Sequence, residues 1–353
     1  MRSIRWTAAV AACALLAGCE SEAARGQARQ AGVASASGID AVEAVAWKAD
    51  LGATWPAFRA EGTLWVVAKG KLVAVSESDG APAREIDLGA EPTSPVLVAD
   101  DAAYFADDRT VRAVALEGGQ DWSKKLAGAT RGALVLAGET LFVAAGQLYA
   151  LDPKTGEQRW KFDGEATIAA TPGVDGDVVY VTDSMGKLYA IDAKSGQQTW
   201  MYDAREPFAA VGITLTPELA ITPTEEGAVV AVFRDTGREK WRFRTGDAIT
   251  SAVAAVGDEA YVGTEAGAVF AINTRTGQEL WQRDDLAAVV TQPIYADGIL
   301  HVGSDDGTLT ALAADSGETR WSHKLESEPL GVPVIGNGEL FVADADGKLY
   351  GLE

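Results

Sequence analysis

Cysteine, histidine and methionine are scarce in this sequence of 353 residues, which contains two Cys, two His and three Met. Such a chain has almost no side chains from which to build a zinc site, a haem site or a disulfide framework. Positive charge is also in deficit, because 30 Lys and Arg residues face 51 Asp and Glu residues and leave a net charge of −21. We identify no local basic patch that would overcome this charge, and so we expect no binding to nucleic acid.

The N-terminal segment has a short apolar stretch rather than a membrane span. Trp6 to Ala17 is apolar, but a stretch of about a dozen residues is too short for a spanning helix. Arg2 and Arg5 precede it, and this order of charged and apolar regions is typical of an export signal. Residues 1–18 are therefore predicted to be removed from the mature protein.

The signal ends in a motif that resembles the lipobox of bacterial lipoproteins, Leu16-Ala17-Gly18-Cys19. The resemblance implies that Cys19 becomes the N-terminus and carries diacylglycerol and a further acyl chain such as palmitate. Several acyl chains anchor a protein stably, whereas one is marginal. An ordinary secreted protein with a chance cysteine is the alternative interpretation.

Residues 19–40 are predicted to form a lipidated flexible tether. They are rich in Ala, Ser, Gly and Gln and show no apolar periodicity, which gives a reach of roughly 25 Å. The membrane would thus be contacted through the N-terminal lipid only. Glu20 follows Cys19, without the Asp often associated with retention in the inner membrane. We therefore expect an anchor in the outer membrane, facing the periplasm, with the inner membrane as the alternative.

Two series of aromatic and apolar residues repeat with a period of about 40 residues. Two series in constant phase indicate tandem structural units, each of which needs its neighbours for burial. One series consists of tryptophans, and the other has eight members. The first contains Trp122, Trp160, Trp200, Trp241, Trp281 and Trp321; the second contains Trp65, Tyr104, Phe142, Tyr180, Ile221, Tyr261, His301 and Phe341.

Each unit has the residue pattern of short β-strands. Val178-Val179-Tyr180-Val181 is β-branched and aromatic, and Lys187 to Ile191 and Thr199 to Tyr202 follow after turns rich in Asp and Gly. No stretch shows sustained helical periodicity. Four short strands per unit describe a propeller blade. Residues 41–353 are therefore predicted to form an all-β fold, an eight-bladed β-propeller of four-stranded antiparallel blades.

The ring is predicted to close by joining its two ends. The last unit stops at Leu352-Glu353, before its outer strand and tryptophan, whereas Val45-Ala46-Trp47-Lys48 precedes the first complete unit. We expect this N-terminal strand to complete the C-terminal blade and so to protect an exposed strand edge. The residues predicted to act as docking struts between blades are Trp47, Trp122, Trp160, Trp200, Trp241, Trp281 and Trp321.

The repeat resembles the tryptophan-docking motif of pyrroloquinoline-quinone-type propellers, A-x-D-x-x-T-G-x-x-x-W. Ala150 to Trp160 matches this motif, and Ala190 to Trp200 repeats it with Ser at the Thr position. Two later units carry Phe233 and Ala313 at the Asp position, and Arg84 stands near the Trp position of the first unit. The motif is specific for the fold and says little about activity.

In length, blade count and ending, the chain most resembles the BamB type, the lipoprotein subunit of the outer-membrane β-barrel assembly machinery. Asp346 to Leu352 is similar to the closing strand of that family. The resemblance implies a non-enzymatic role, in which loops on one rim hold the barrel-inserting subunit. Two departures concern this role: Gly212 stands where the family has Arg, and the Arg244–Ile249 loop lacks the expected acidic insertion.

A quinone-dependent dehydrogenase is the main enzymatic alternative, because it shares the blade motif. Such enzymes usually have a vicinal Cys pair, carboxylate and amide ligands for Ca²⁺ and a catalytic Asp, and no vicinal Cys pair can form here. His301 and His323 occupy strand positions that carry aromatic residues in other units, and Asp344-Ala345-Asp346-Gly347 is expected to be a hairpin turn. We therefore predict no catalytic residue, no metal site and no cofactor.

The candidate contacts with a partner lie in inter-unit connections. Arg205, Glu206, Phe208 and Val211 belong to the longest of these, and Thr291 with Gln292 is expected to face the central channel. A loop that only caps its blade is an equally acceptable interpretation. Two functions remain: a BamB-like scaffold for β-barrel assembly, or a propeller that binds a small molecule, a glycan or another envelope protein.

Overall fold

The computed structural model describes residues 39, 42 and 44–353, apart from residues 290 and 337. The predicted signal peptide, Cys19 and nearly all of the tether lie outside the described residues. Within the described part, 32 β-strands and no helix are present. No described segment could therefore cross a membrane as a long apolar helix.

The strands form eight four-stranded antiparallel sheets, each of which is one blade of a propeller. In blades 1 to 4, the strands run from innermost to outermost in chain order. They are β2 (Phe58–Ala60), β3 (Thr63–Ala68), β4 (Lys71–Val75) and β5 (Pro82–Asp87); β6 (Leu97–Ala99), β7 (Ala102–Asp107), β8 (Thr110–Ala115) and β9 (Trp122–Lys125); β10 (Val135–Ala137), β11 (Thr140–Ala144), β12 (Leu148–Leu151) and β13 (Gln158–Phe162); and β14 (Gly173–Asp175), β15 (Val178–Thr182), β16 (Lys187–Asp192) and β17 (Gln198–Asp203).

Blades 5 to 7 follow the same order, and blade 8 takes its outermost strand from the N-terminus. Their strands are β18 (Thr214–Leu215), β19 (Leu219–Pro223), β20 (Ala228–Phe233) and β21 (Glu239–Arg244); β22 (Ala254–Val256), β23 (Glu259–Gly263), β24 (Val269–Asn273) and β25 (Glu279–Arg283); β26 (Ile294–Ala296), β27 (Ile299–Gly303), β28 (Thr308–Ala313) and β29 (Thr319–Lys324); and β30 (Val334–Gly336), β31 (Glu339–Ala343), β32 (Lys348–Leu352) and β1 (Val45–Asp50).

The ring closes where the two ends of the chain pair. β1 is antiparallel to β32, with Trp47 opposite Gly351 and Lys48 opposite Tyr350. Beyond the strand, the backbone of Ala44 exchanges two hydrogen bonds with that of Glu353, at 3.1 and 3.2 Å. The predictions of eight blades and of closure by an N-terminal strand are confirmed.

The core consists of layers between blades rather than one central core. Each of eight buried clusters combines side chains of two adjacent blades. The second and third strands supply most of these side chains, because they are covered on both faces and can be apolar at nearly every position. In β15, for example, every residue except Val178 is buried. The outermost β17 instead alternates between exposed and half-buried residues.

The ring has two faces, which we name by their turns. The hairpin face carries the turns between the second and third strands and the connections between blades, as the hydrogen bond from Ala204 N to Gly186 O shows at 2.8 Å. The docking-turn face carries the turns between the third and fourth strands, such as Asp192 to Gly196. Around the central channel, the innermost strands of blades 3 to 7 contact one another in turn.

Candidate functional site

The tryptophans lie at the boundaries between blades and hydrogen-bond across them. Six of the predicted docking tryptophans donate their indole N–H to a backbone carbonyl in the docking turn of the next blade, for example Trp160 Nε1 to Ala193 O at 2.9 Å. Burying such a ring contributes on the order of 2–3 kcal/mol. The complete donor and acceptor pairs are Trp47–Glu77, Trp122–Pro153, Trp160–Ala193, Trp200–Arg234, Trp241–Thr274, Trp281–Ala314 and Trp321–Ile39.

A glycine in each complete docking turn makes room for the incoming ring. Gly196 has φ +73°, which L side chains rarely adopt, and a Cβ added to it would lie 2.7 Å from Cδ2 of Trp160. Asp192 closes the same turn by accepting hydrogen bonds from the backbone N–H and the hydroxyl of Ser195, at 2.7 and 2.6 Å. The T-G pair of the motif therefore serves the contact between blades.

The boundary between blades 1 and 2 differs, since the outer strand of blade 1 carries an arginine. Arg84 donates through Nη2 to the carbonyl of Leu116 in the docking turn of blade 2, and through Nη1 to Glu117 at 3.3 Å. A guanidinium thus makes the N–H···O=C contact that an indole makes elsewhere. The sequence showed the substitution at Arg84 but not its partner, because Leu116 is 32 residues away.

The boundary between blades 7 and 8 uses the N-terminal segment. Trp321 donates to the carbonyl of Ile39 at 2.8 Å, in place of the docking turn that the end of the chain lacks. Ile39 is itself 5% exposed and packs in the cluster shared by blades 7 and 8. The packed ring therefore includes Ile39, two residues before the start expected from the sequence. The chain enters the ring on the docking-turn face.

The two histidines lie in strands and contact aromatic neighbours or solvent rather than an acid. His301 is 2% exposed, and its ring centroid lies 5.6 Å from that of Trp321. Neither ring nitrogen has a hydrogen-bond partner among the described residues, and burial lowers the pKa of His301 to about 4. His323 is half-buried in β29, where burial also lowers its pKa. Neither is placed to act as a general base.

Two buried carboxylates hold hairpins in place. Asp344 accepts the backbone N–H groups of Asp346 and Lys348, at 3.1 and 2.9 Å, and the hydroxyl of Tyr350 at 2.7 Å. Asp183 makes the matching bonds in blade 4, with the hydroxyl of Tyr189 at 2.8 Å. The Asp344 turn is thus a hairpin, as the sequence indicated. No group of three His, Cys, Asp or Glu side chains in the described residues could hold a metal ion.

The loop from Ala204 to Ile213 contains the first set of candidate partner contacts, on the hairpin face. Arg205 is exposed, with φ +62°, and Val211 is half-buried. Phe208 is 3% exposed and packs between blades 4 and 5. The loop therefore presents Arg205 and part of Val211 to solvent, while Phe208 fixes it to the ring.

Glu206 fixes the same loop by charge. It is 6% exposed and is paired with Arg242 of β21 and, at 3.5 Å, with Arg244. Arg242 also donates to the hydroxyl of Tyr202 at 2.9 Å and to the carbonyl of Ala204 at 3.1 Å. A buried carboxylate requires such partners, because leaving it unpaired would be strongly unfavourable. Sequence reasoning missed Arg242, which belongs to the next blade and lies 36 residues from Glu206.

Thr291 and Gln292, the second set, lie where the chain enters the innermost strand of blade 7. Thr291 is 2% exposed, and its hydroxyl accepts the N–H of Gly303 at 2.8 Å. Gln292 is half-buried and donates through Nε2 to the carbonyl of Val253, in the preceding blade, at 3.1 Å. Both side chains thus bond to backbone within the ring, and Gln292 keeps partial exposure at the channel.

The positions of Gln292 and Ile294 recur in all eight blades, at and just before the innermost strands. Two rings of eight residues, at the position of Gln292 and at that of Ile294, contain no ionisable side chain. The first ring is Pro56, Pro95, Ala133, Thr171, Gly212, Ala252, Gln292 and Val332; the second is Phe58, Leu97, Val135, Gly173, Thr214, Ala254, Ile294 and Val334.

A cleft of about 300 Å³ lies between blades 1 and 2, at the boundary where Arg84 stands in place of a docking tryptophan. Asp87 and Leu88 line it from blade 1, and Arg112, Val114 and Asp121 line it from blade 2. The guanidinium of Arg112 contacts Asp107 at 3.2 Å, and its Nε has no hydrogen-bond partner among the described residues. No motif in the sequence pointed to this cleft.

Comparison with protein families gives one match along most of the chain. The family model described as outer membrane protein assembly factor BamB matches residues 34–129, 107–242 and 225–353. Together these segments cover well over half of the sequence. No curated protein matches the chain.

Solved structures with the same architecture include proteins of different kinds. BamB from Moraxella catarrhalis has a TM-score of 0.74 at 18% identity, over 87% of this chain and 98% of its own. The computationally designed Ika8 protein has a TM-score of 0.74 at 16% identity, over 87% and 98%. A quinohemoprotein alcohol dehydrogenase from Pseudomonas putida has a TM-score of 0.71 at 13% identity, over 88% of this chain and 76% of its own. Likeness at these identities shows the fold alone.

Proposed function

The chain belongs to the family of the outer membrane protein assembly factor BamB, and from this membership we propose that it is a non-enzymatic scaffold for the assembly of β-barrel proteins. The family match along the whole ring is the observation that carries the proposal. The partner would be the periplasmic part of the barrel-inserting subunit. It would be held through loops on the hairpin face, with Arg205 and Val211 as contacts.

Glu206 and Phe208 would contribute by positioning rather than by contact. Both are buried, and both tie the loop to blade 5 or to the layer beneath it. A loop held at two points loses little conformational freedom on binding, which favours affinity. Gln292 and Thr291, bonded within the ring, would similarly shape the mouth of the channel.

The composition of the innermost-strand positions supports a scaffold over a quinone dehydrogenase. A calcium–quinone site needs carboxylate and amide oxygens, and hard cations bind through such ligands. Of the sixteen positions equivalent to Gln292 and Ile294, only Gln292 supplies a side-chain amide and none supplies a carboxylate. These positions therefore do not supply the oxygen ligands that a calcium–quinone cofactor needs.

We also propose the organisation that the sequence predicts: a signal peptide at 1–18, a lipidated tether at 19–40 and the ring beyond it. The protein would be anchored in the outer membrane through Cys19 and would face the periplasm. Mass spectrometry of the mature N-terminus tests this proposal. A triacylated Cys19 would support it, and an unmodified N-terminus at another residue would contradict it.

The function can be tested by purifying the full-length lipidated protein in mild detergent and identifying the proteins that accompany it. Subunits of the barrel-assembly machinery are expected in stoichiometric amounts. Arg205→Glu and Val211→Asp are each expected to lower their recovery at least about tenfold, because both place new charge at the contact. Lys194→Glu, on the docking-turn face, is the matched control.

The proposal would be wrong if no assembly subunit accompanied the protein and barrel proteins stayed at normal levels after its deletion. In that case the cleft between blades 1 and 2 supports a second candidate, a propeller that binds a small molecule. A thermal-shift screen of small polar metabolites would then be run on wild type and Arg112→Ala. A stabilisation seen only in wild type would favour that function.

A further inference from the structure

The hairpin face carries a group of unpaired cations in an otherwise acidic protein. Lys69, Arg109, Lys125 and Arg131 are all exposed, and none forms an ion pair with a described residue. We name these four residues the basic arc. They are spread over 63 positions of the sequence, which is why no basic patch was visible there.

The backbone brings three of these residues together at blades 2 and 3. Lys125 is opposite Thr110, the neighbour of Arg109, in the pairing of β8 with β9. Leu126 N donates to the carbonyl of Arg109 at 2.7 Å, and Thr130 N donates to that of Asp108 at 2.8 Å. Arg131 follows directly, where the chain enters the innermost strand. Lys69 occupies the corresponding hairpin tip of blade 1.

The other half of the same face has the opposite charge. The hairpin tips of blades 5, 6, 7 and 8 carry Glu225 and Glu226, Glu265, Asp305 and Asp306, and Asp346. Lysines pair with Asp306 and Asp346, at 2.9 and 3.6 Å. Glu225, Glu226, Glu265 and Asp305 form no ion pair with a described residue. The hairpin face is therefore electrically polarised across the channel.

Three exposed carboxylates lie near the basic arc, and none forms an ion pair with it among the described residues. Asp87, Glu91 and Asp108 are the exposed acids of that sector of the hairpin face. Asp87 is engaged with the backbone N–H of Gly89 at 2.8 Å, and Glu91 with the hydroxyl of Thr54 at 3.3 Å. Four cations without an ion-pair partner among the described residues thus face solvent beside three carboxylates, whereas the chain as a whole has a net charge of −21.

We infer that the basic arc is the docking site for an acidic surface of a periplasmic partner protein, whose own basic side meets the acidic tips of blades 5 to 8. The inference rests on the proposed function for the identity of that partner. Charge complementarity of this kind speeds encounter and fixes orientation. The basic arc would supply a charged contact that the Arg205 loop lacks, since Gly212 stands where the family has Arg.

A protein fits this surface better than an anionic membrane does. A flat membrane laid on the hairpin face would meet the carboxylates of blades 5 to 8 together with the arc, and those carboxylates would be repelled. The chain also enters the ring at Ile39 on the opposite face. A compact partner can instead match both halves of the face.

The test compares two charge reversals of equal size in the full-length lipidated protein held in nanodiscs. Lys69→Glu, Arg109→Glu and Arg131→Glu change the basic arc. The matched control, Lys154→Glu, Lys194→Glu and Arg238→Glu, changes three exposed cations of the docking-turn face. The probe is the purified periplasmic region of the barrel-inserting subunit, and affinity is measured at low and high salt.

We expect the arc variant to bind about 30-fold more weakly at 50 mM salt and the control to stay within about threefold of wild type. The difference should shrink at 300 mM salt, where exposed charges are screened. Wild-type binding with equal losses in both variants would overturn the inference while leaving the proposed function standing. Failure of wild type to bind the probe would overturn the proposed function, and with it the partner assigned to the arc.

Two further measurements distinguish other occupants of the face. Arc-dependent binding to vesicles of phosphatidylglycerol and phosphatidylethanolamine, without binding to the probe, would replace the protein partner by a lipid surface. Arc-dependent dimerisation in analytical ultracentrifugation would replace it by a second copy of the chain. Circular dichroism of all variants at one temperature verifies that they remain folded.

Discussion

At the scale of single residues, His301 is a polar side chain at a buried position that other blades fill with an apolar aromatic ring. It occupies the aromatic position of the second strand, where equivalent strands carry Phe142 and Phe341. Its two ring nitrogens are buried and have no hydrogen-bond partner in the part of the chain that the structure describes. An imidazole in an apolar layer costs about 1–3 kcal/mol for polar groups that bind nothing. The buried imidazole also makes the stability of the propeller sensitive to acid.

His301→Phe is expected to raise the free energy of unfolding by about 1–3 kcal/mol at pH 7.5, because the unpartnered nitrogens are removed. The gain should grow by about 2 kcal/mol at pH 5. The folded pKa of about 4 lies below the ordinary value of 6.5, and so the unfolded chain takes up a proton in this window and the folded chain does not. Urea unfolding at both pH values measures the effect.

His323→Phe is the matched control, since that side chain is only half-buried on an outer strand. It should change the dependence on pH far less than His301→Phe does. If the free energy of unfolding of His301→Phe changed with pH as much as that of wild type, His301 would be hydrated in solution. The wild type would then lose stability below pH 6.5 through other groups.

At the scale of elements, the docking turn and the tryptophan it receives are the unit that repeats. The turn was predictable because its residues are close in sequence and recur: in several units an Asp or Asn closes the turn, a glycine with positive φ follows, and four residues later comes a tryptophan that docks into the turn of the next blade. Ring size followed from counting the eight members of the second-strand series, and closure from the missing outer strand of the last unit. Local chemistry repeated many times is therefore enough to define this fold.

Contacts that join different units could not be predicted in the same way. Arg242 pairs with Glu206 across two blades, and Arg84 bonds to Leu116 only because its guanidinium reaches the next turn. Neither pair leaves a pattern in the sequence, since each occurs once. The basic arc is a third such case, because its members are adjacent only after the blades are arranged in a ring.

The docking turn can be tested with two glycines of blade 4 that have similar backbone angles. Gly196→Ala is expected to lower the free energy of unfolding by about 3 kcal/mol, since the new methyl group strains the backbone and collides with Trp160. Gly176 has φ +56° but no atom within 4 Å of an added Cβ. Gly176→Ala should therefore cost about 1 kcal/mol, from backbone strain alone.

Urea unfolding followed by tryptophan fluorescence measures both variants. Equal losses in the two would mean that the backbone conformation, and not the seat for the indole ring, is what the glycine provides. A loss confined to Gly196→Ala would assign most of the effect to the contact between blades.

At the scale of the whole molecule, one non-covalent strand pairing within blade 8 completes the ring. The chain passes directly from each blade to the next, and from β1 of blade 8 into β2 of blade 1, so the pairing of β1 with β32 alone completes the circle.

Charged side chains reinforce the pairing of β1 with β32. Hydrogen bonds from Lys348, at 2.6 Å, and from Lys48 lower the pKa of Glu326 to about 2. This connects β1 and β32 to the connection that follows β29, and the contribution is lost as the pH falls from the ordinary range of a carboxylate towards 2.

Removing β1 should therefore destabilise the entire ring, whereas removing the residues before Ile39 should not. A protein that begins at Ile39 keeps the carbonyl that receives Trp321 and the whole of β1, and we expect it to unfold like the full chain without its lipid. A protein that begins at Leu51 loses the burial of Trp47, the five strand partners of β1 and the acceptor for Trp321. Its free energy of unfolding should fall by on the order of 5 kcal/mol.

The same deletion should also change how the molecules associate. Without β1, the edge of β32 is open, and an open edge invites pairing with another chain. The protein that begins at Leu51 is thus expected to form dimers or larger species in size-exclusion chromatography, while the protein that begins at Ile39 stays monomeric. A monomeric protein from Leu51 with unchanged stability would mean that the layers between blades hold the circle without the N-terminal strand, and that β1 serves mainly to fix the place where the tether leaves the ring.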